Sequence, residues 1–188
     1  MFLLNMDSKL AFNAFANLLN SSPLLMTFMR VDQRGMESFY QTFDVYFSLN
    51  LPELYAHFKQ QKLSSELFMI DWIYTLFTKV LPLDISTRVW DLMFRDGVEE
   101  TVIRCSLTIL KLYEKQLYLL NDFINCAQLL TQLSTQSANF PVDSGKFLSM
   151  LNGFSLKPVT IDKKTKCKLN YLSLYQHFNN NSTRIGSS

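Results

Sequence analysis

The sequence predicts an all-α protein, and three observations carry that prediction. Apolar residues recur at three- and four-residue intervals along most of the chain, capping residues stand where each periodic run begins, and only five glycines and five prolines interrupt the 188 residues. Asp7 caps a helix running to about residue 20, with Leu10, Ala14, Phe15, Leu18 and Leu19 on its inward face. Ser22 followed by Pro23 gives an N-cap and a proline at the first helical position, opening a short helix through Phe28. Val31-Asp32-Gln33-Arg34-Gly35 reads as a polar turn, after which Met36, Phe39, Tyr40, Phe43, Tyr46 and Phe47 mark a third helix. Leu51-Pro52-Glu53 starts a fourth, with Leu54, Tyr55 and Phe58 inward, and it fades in Lys59-Gln60-Gln61-Lys62.

Ser64 caps a fifth helix, whose first turn holds Glu66 where a negative charge suits the helix dipole. Residues 67–80 are apolar nearly all round, which predicts the central buried helix of the fold. Leu81-Pro82-Leu83 breaks it. Asp84 caps a sixth helix over 85–95 that Gly97 ends, a seventh covers about 99–117, and Asn121 caps an eighth over 122–133. The Ser-, Thr-, Gln- and Asn-rich stretch 131–144 reads as a loop, with shorter amphipathic pieces expected at 146–152 and 162–178. The tail 179–188 is expected to be disordered. No fixed-period repeat supports a solenoid.

Composition excludes several function classes. Lysine and arginine number 18 against 16 aspartates and glutamates, and a net charge of +2 provides no footprint for wrapping nucleic acid. An apolar content of 48% with 14% aromatics is ample for a buried core. Cys105, Cys126 and Cys167 lack the close spacing of a zinc site or redox pair and are odd in number, so they read as reduced thiols of a cytosolic protein. The opening Met1-Phe2-Leu3-Leu4-Asn5-Met6 has no basic region and does not read as a signal peptide. Asp71 and Lys79 interrupt the most apolar region, so no transmembrane segment is expected.

The most informative residues are Asp71-Trp72-Ile73-Tyr74-Thr75-Leu76-Phe77, then Leu81-Pro82-Leu83-Asp84, then Arg88-Val89-Trp90-Asp91, then Phe94 to Gly97. This ordered set resembles the family of TBC-domain Rab GTPase-activating proteins, whose carboxy-terminal lobe carries W-x3-LF, PLD, R-x-WD and F-x2-G. Ala14-Phe15-Ala16-Asn17-Leu18-Leu19, Phe28-Met29-Arg30-Val31-Asp32 and Leu51-Pro52-Glu53-Leu54-Tyr55-Ala56-His57-Phe58 resemble the same lobe in the same order. The resemblance covers residues 1 to about 130 and implies a carboxy-terminal helical lobe over 1–133, an extension over 134–178 and the tail. From physics alone Trp72, Leu76, Phe77, Trp90 and Phe94 are core, and Arg88 and Asp91 form an i,i+3 pair worth a few tenths of a kcal/mol on an exposed face. The family-motif residues Trp72, Phe77, Pro82, Asp84, Arg88, Trp90, Asp91 and Gly97 are therefore expected to be structural.

The chemistry that the resemblance implies uses an arginine finger in I-x-x-D-x-x-R and a glutamine finger in Y-x-Q-G, both in the amino-terminal lobe. A GAP arginine stabilises charge on the transferring phosphoryl group, and the glutamine orients the attacking water. Neither motif is present. Met29-Arg30-Val31-Asp32-Gln33-Arg34-Gly35 places its arginine one position early, and Phe39-Tyr40-Gln41-Thr42 lacks the glycine and falls within a helical run. An arginine supplied in trans is worth roughly 10³ to 10⁵ in rate, about 4 to 7 kcal/mol of barrier. No catalytic residue, cofactor site or metal site is expected.

The segment 2–6 resembles the end of the helix that follows the family's glutamine motif, so the chain is expected to begin just after the catalytic half and to self-associate through what that half would cover. A GTP-bound Rab-family GTPase is the partner that the resemblance implies, at endomembranes reached through partners. His57 and His177 have no nucleophile motif nearby and read as surface or packing residues. Lys157, Lys163, Lys164, Lys166 and Lys168 read as a solvated face, with contact to acidic lipid as the alternative. No glycine-rich phosphate loop is present.

Overall fold

A computed structural model describes residues 3, 6–133, 140–154 and 156. Among them the chain forms nine helices: α1 (Ser8–Ser21), α2 (Pro23–Met29), α3 (Gln33–Asn50), α4 (Pro52–Gln60), α5 (Glu66–Tyr74), α6 (Leu83–Asp96), α7 (Val98–Leu119), α8 (Phe123–Thr131) and α9 (Ser144–Gly153). The protein is all-α, as the sequence predicts. The expected pieces at 162–178 and the tail at 179–188 lie outside the described residues.

Several caps act as read from the sequence. The Asp7 carboxylate accepts from the amides of Lys9 and Leu10, and the Ser22 hydroxyl accepts from Leu25 N–H at the start of α2, with Pro23 in the first turn. Other starts shift by a residue or two. α3 begins at Gln33, inside the expected turn, so Gly35 is helical. A Cβ there would come within 2.5 Å of Thr27 Cγ2 and 2.9 Å of Asp32 Oδ2, so Gly35 lets α3 pass close to α2. Ser65 stands at the N-cap position of α5 without a side-chain cap bond, while the Ser64 hydroxyl accepts from Glu66 N–H at 3.4 Å, and Asp122, not Asn121, caps α8 by accepting from Asn125 N–H at 2.8 Å.

The largest departure is the fifth helix. It ends at Tyr74, and residues 75–80 form successive turns. The Phe77 amide bonds back to Trp72 O at 2.9 Å and the Leu76 amide to Ile73 O at 3.1 Å, the paired 6→1 and 5→2 bonds of a Schellman ending, with Leu76 at φ 46°. Two further helices end the same way on non-glycine residues. α2 closes through Asp32 N to Thr27 O with Val31 at φ 53°, and α4 through Leu63 N to Phe58 O with Lys62 at φ 56°.

The central buried helix is α7 rather than the 67–80 stretch. It is buried at positions on nearly every face from Val98 to Leu117 and packs against α3, α4, α6 and α9. Of its small buried polar residues, Thr108 satisfies itself locally, its Oγ1 donating to Arg104 O at 2.8 Å. α9 seats Phe147 and Leu151 against this core, α5 packs on α8, and α1 joins α2, which joins α3. Edge-to-face and tilted rings run through the interior from Phe47 by Phe43 and Phe58 to Phe68, Trp72 and Phe77. α1 docks along Ala11, Leu18 and the partly buried Leu19. Leu10 and Phe15, expected inward, are 57% and 43% exposed because α1 packs chiefly on α2.

Candidate functional site

The motif residues divide into a buried group and a surface group. Trp72 is fully buried, stacks on Phe68 with ring centroids 4.7 Å apart, and donates from Nε1 to Leu130 O at 3.3 Å, tying α5 to α8. Phe77, also fully buried, packs against Trp72. Trp90 is half-buried on α6, and its Nε1 donates to Leu76 O at 2.9 Å, so the indole holds the carbonyl of the left-handed turn residue. These three, with Leu76, come together around the 75–81 connection.

Pro82 and Gly97 bracket α6. Pro82 is the N-cap, at φ −54° and ψ 153°, so Asp84 is not the cap but lies exposed in the first turn, where its charge suits the helix dipole. Gly97 adopts φ 100° and ψ 149°, a region closed to residues with a Cβ, and this allows α6 to reverse directly into α7. α6 and α7 pack closely as a result.

The remaining motif residues face outward. Arg88 and Asp91 form their i,i+3 pair at 3.9 Å, with side chains 65% and 71% exposed, so the contact is screened by water and adds little stability. Arg95 follows one turn on and pairs with Asp96, whose carboxyl is held below its ordinary value by that guanidinium. Phe94, expected in the core, is 54% exposed, because the helical period sets it on the same side of α6 as the exposed Leu83, about three turns away. The outer face of α6 therefore has an apolar edge of Leu83 and Phe94 and a charged edge of Asp84, Arg88, Asp91 and Arg95.

The near-matches to finger motifs sit in ordinary helical surroundings. Arg30 caps the end of α2, Gln33 donates to Glu37 on its own helix at 2.9 Å, and Gln41 is an exposed residue within α3. His57 is half-buried against Tyr118 and hydrogen-bonds through Nε2 to the Leu120 carbonyl at 3.2 Å. Cys105 and Cys126 are buried free thiols, and burial pushes the Cys105 thiol well up. Among the described residues no helix is long and apolar enough to cross a membrane, and no group of three or more potential metal ligands gathers.

Sequence reasoning missed two long-range polar links, the first of them buried. Glu99, in the first turn of α7, accepts from Ser22 Oγ at 2.8 Å and Leu24 N–H at 3.0 Å. Asp44 accepts from Ser65 Oγ at 2.6 Å and pairs with Lys59 at 3.0 Å. No local pattern marks either link, because the partners are 15 to 77 residues away.

The Rab-GTPase-TBC domain family model matches residues 1–118. The chain is 50% identical over 131 residues to TBC1 domain family member 14 of Rattus norvegicus, and 49% identical over 131 residues to TBC1 domain family member 12 of Mus musculus. Each match covers 70% of this chain and 18% of the relative. Drainin of Dictyostelium discoideum is 38% identical over 138 residues, covering 71% of this chain and 30% of that protein. The chain thus spans less than a third of the length of these relatives.

Proposed function

Since the chain belongs to the Rab-GTPase-TBC domain family, we propose that it is one lobe of a GTPase-activating protein for Rab-family small GTPases in vesicle traffic. The observation that carries this reading is the family match over residues 1–118 in a sequence that contains neither I-x-x-D-x-x-R nor Y-x-Q-G. The lobe contributes contact surface to a GTP-bound Rab, while the arginine and glutamine that act on the phosphoryl group come from outside these 188 residues. The outer face of α6 is a fitting contact surface, because Arg88 and Asp91 are motif residues whose exposure leaves them little structural work. Placement is in the cytoplasm, peripheral to endomembranes through the bound GTPase.

A single-turnover GTPase assay of the chain over a panel of GTP-loaded Rabs tests the proposal. No acceleration is expected, whereas binding to one or more members is. Acceleration near a thousandfold would overturn the lobe reading, since that is the scale of an intact finger. The second reading is a TBC-like scaffold that holds a GTPase or another protein without catalysis, and it rests on the same missing motifs. The two separate in the longer protein, where the presence of both finger motifs favours activation and their absence favours the scaffold.

A further inference from the structure

We propose that Glu99 is a buried clasp holding α1 and α2 on the body of the fold, and that its release opens these two helices as one unit ahead of the rest. The carboxylate is 5% exposed, and one oxygen, Oε1, takes both the Ser22 hydroxyl proton at 2.8 Å and the Leu24 amide at 3.0 Å. Ser22 Oγ in turn accepts from Leu25 N–H at 3.2 Å, so two of the first free amides of α2 are satisfied through this one point. None of the ion pairs among the described residues involves Glu99. Its charge is met by two helix starts, that of α7, in whose first turn it lies, and that of α2.

This arrangement makes the link all-or-none. If α2 leaves, the carboxylate loses both donors, and the buried Ser22 and Leu24 donors lose their acceptor together. α2 has a second tie at its far end, where Tyr74 Oη donates to Phe28 O at 2.8 Å and the two rings stand edge-on at 5.7 Å. α1 packs chiefly on α2 and carries exposed Leu10 and Phe12. The two helices therefore move together or stay together, and the clasp that decides it reaches across 75 residues to the start of the central helix. Opening uncovers Leu24, Leu25 and Phe28, which are fully buried when closed.

Amide hydrogen exchange of the 188-residue chain, read by mass spectrometry on peptides from each helix, tests the clasp. In Glu99→Ala, exchange of the amides of α1 and α2 is expected to accelerate by about 10- to 100-fold, with that of α7 and α9 unchanged. Glu99→Gln keeps an acceptor oxygen but removes the charge that the two helix starts stabilise, so its acceleration falls between those of Glu99→Ala and the parent chain. Equal acceleration in α1, α2 and α7 would overturn the proposal, as would no acceleration in α1 and α2. If Glu99→Ala does not fold, the same two outcomes in Glu99→Gln decide the matter.

Discussion

At the scale of single residues, the two tryptophans of the motif illustrate how differently similar side chains contribute. Trp72 is enclosed by Phe68 and Phe77 with its indole N–H satisfied, so Trp72→Ala leaves a large cavity and an unmatched carbonyl at Leu130. The expected loss is about 3–5 kcal/mol. Trp90 is half-buried against the core and donates its indole N–H to Leu76 O, so it contributes packing of α6 together with a hydrogen bond worth about 1 kcal/mol. Arg88→Ala removes a long, exposed pair and is expected to change stability by less than about 0.5 kcal/mol. Urea melts of Trp72→Ala and Arg88→Ala check the ordering, and equal losses would show that the burial described for α5 and α6 is wrong. The sequence made the aromatic core readable because large rings at helical spacing have few alternatives. It misplaced Phe94, where periodicity alone could not say which edge of α6 meets solvent, and it gave no hint that Glu99 would be buried.

At the scale of the helix, ends proved harder to read than beginnings. Some beginnings announce themselves through side chains that accept from free amides, as Asp7 and Ser22 do. The ends of α2, α4 and α5 use a left-handed residue that is usually glycine but here is Val31, Lys62 or Leu76. With no glycine to mark the stop, an apolar run such as 67–80 looks like one helix when it is a helix and a set of turns. These residues hold a backbone conformation that costs an L-amino acid about 1–2 kcal/mol, most plainly at Val31, which is β-branched and 69% exposed. Glycine there removes the strain but loses about 0.5–1 kcal/mol in chain entropy. Val31→Gly is therefore expected to raise stability by about 0.5–1 kcal/mol, visible as a higher urea midpoint. A lower midpoint would mean that the Val31 side chain contributes packing that its exposure does not suggest.

At the scale of the whole molecule, the fold class and family were readable because they depend on ordered blocks spread over many residues, whereas the identity of the central helix was not. α5 looked central because its residues are nearly all apolar, yet α7 occupies that place, its buried Thr101, Ser106 and Thr108 disguising it as an ordinary amphipathic helix. The same global packing determines which apolar groups stay outside. α1 is fixed along Ala11, Leu18 and Leu19, and on the two flanks of Ala11 Leu10 is 57% and Phe12 70% exposed. Leu3, just before it, is 71% exposed. Phe12 and Phe15, three residues apart on one side of α1 and 70% and 43% exposed, form the nearest thing to an apolar patch here, and surface of this kind tends to be buried by association. We therefore expect the isolated chain to self-associate, with α1 at the contact. Light scattering across a micromolar concentration series should show mass rising with concentration. Phe12→Ser combined with Leu10→Ser should return the chain to a monomer without lowering its melting temperature, since neither side chain belongs to the core. A parent chain that stays monomeric throughout the series would rule out association, and a double variant that still associates would move the contact away from α1.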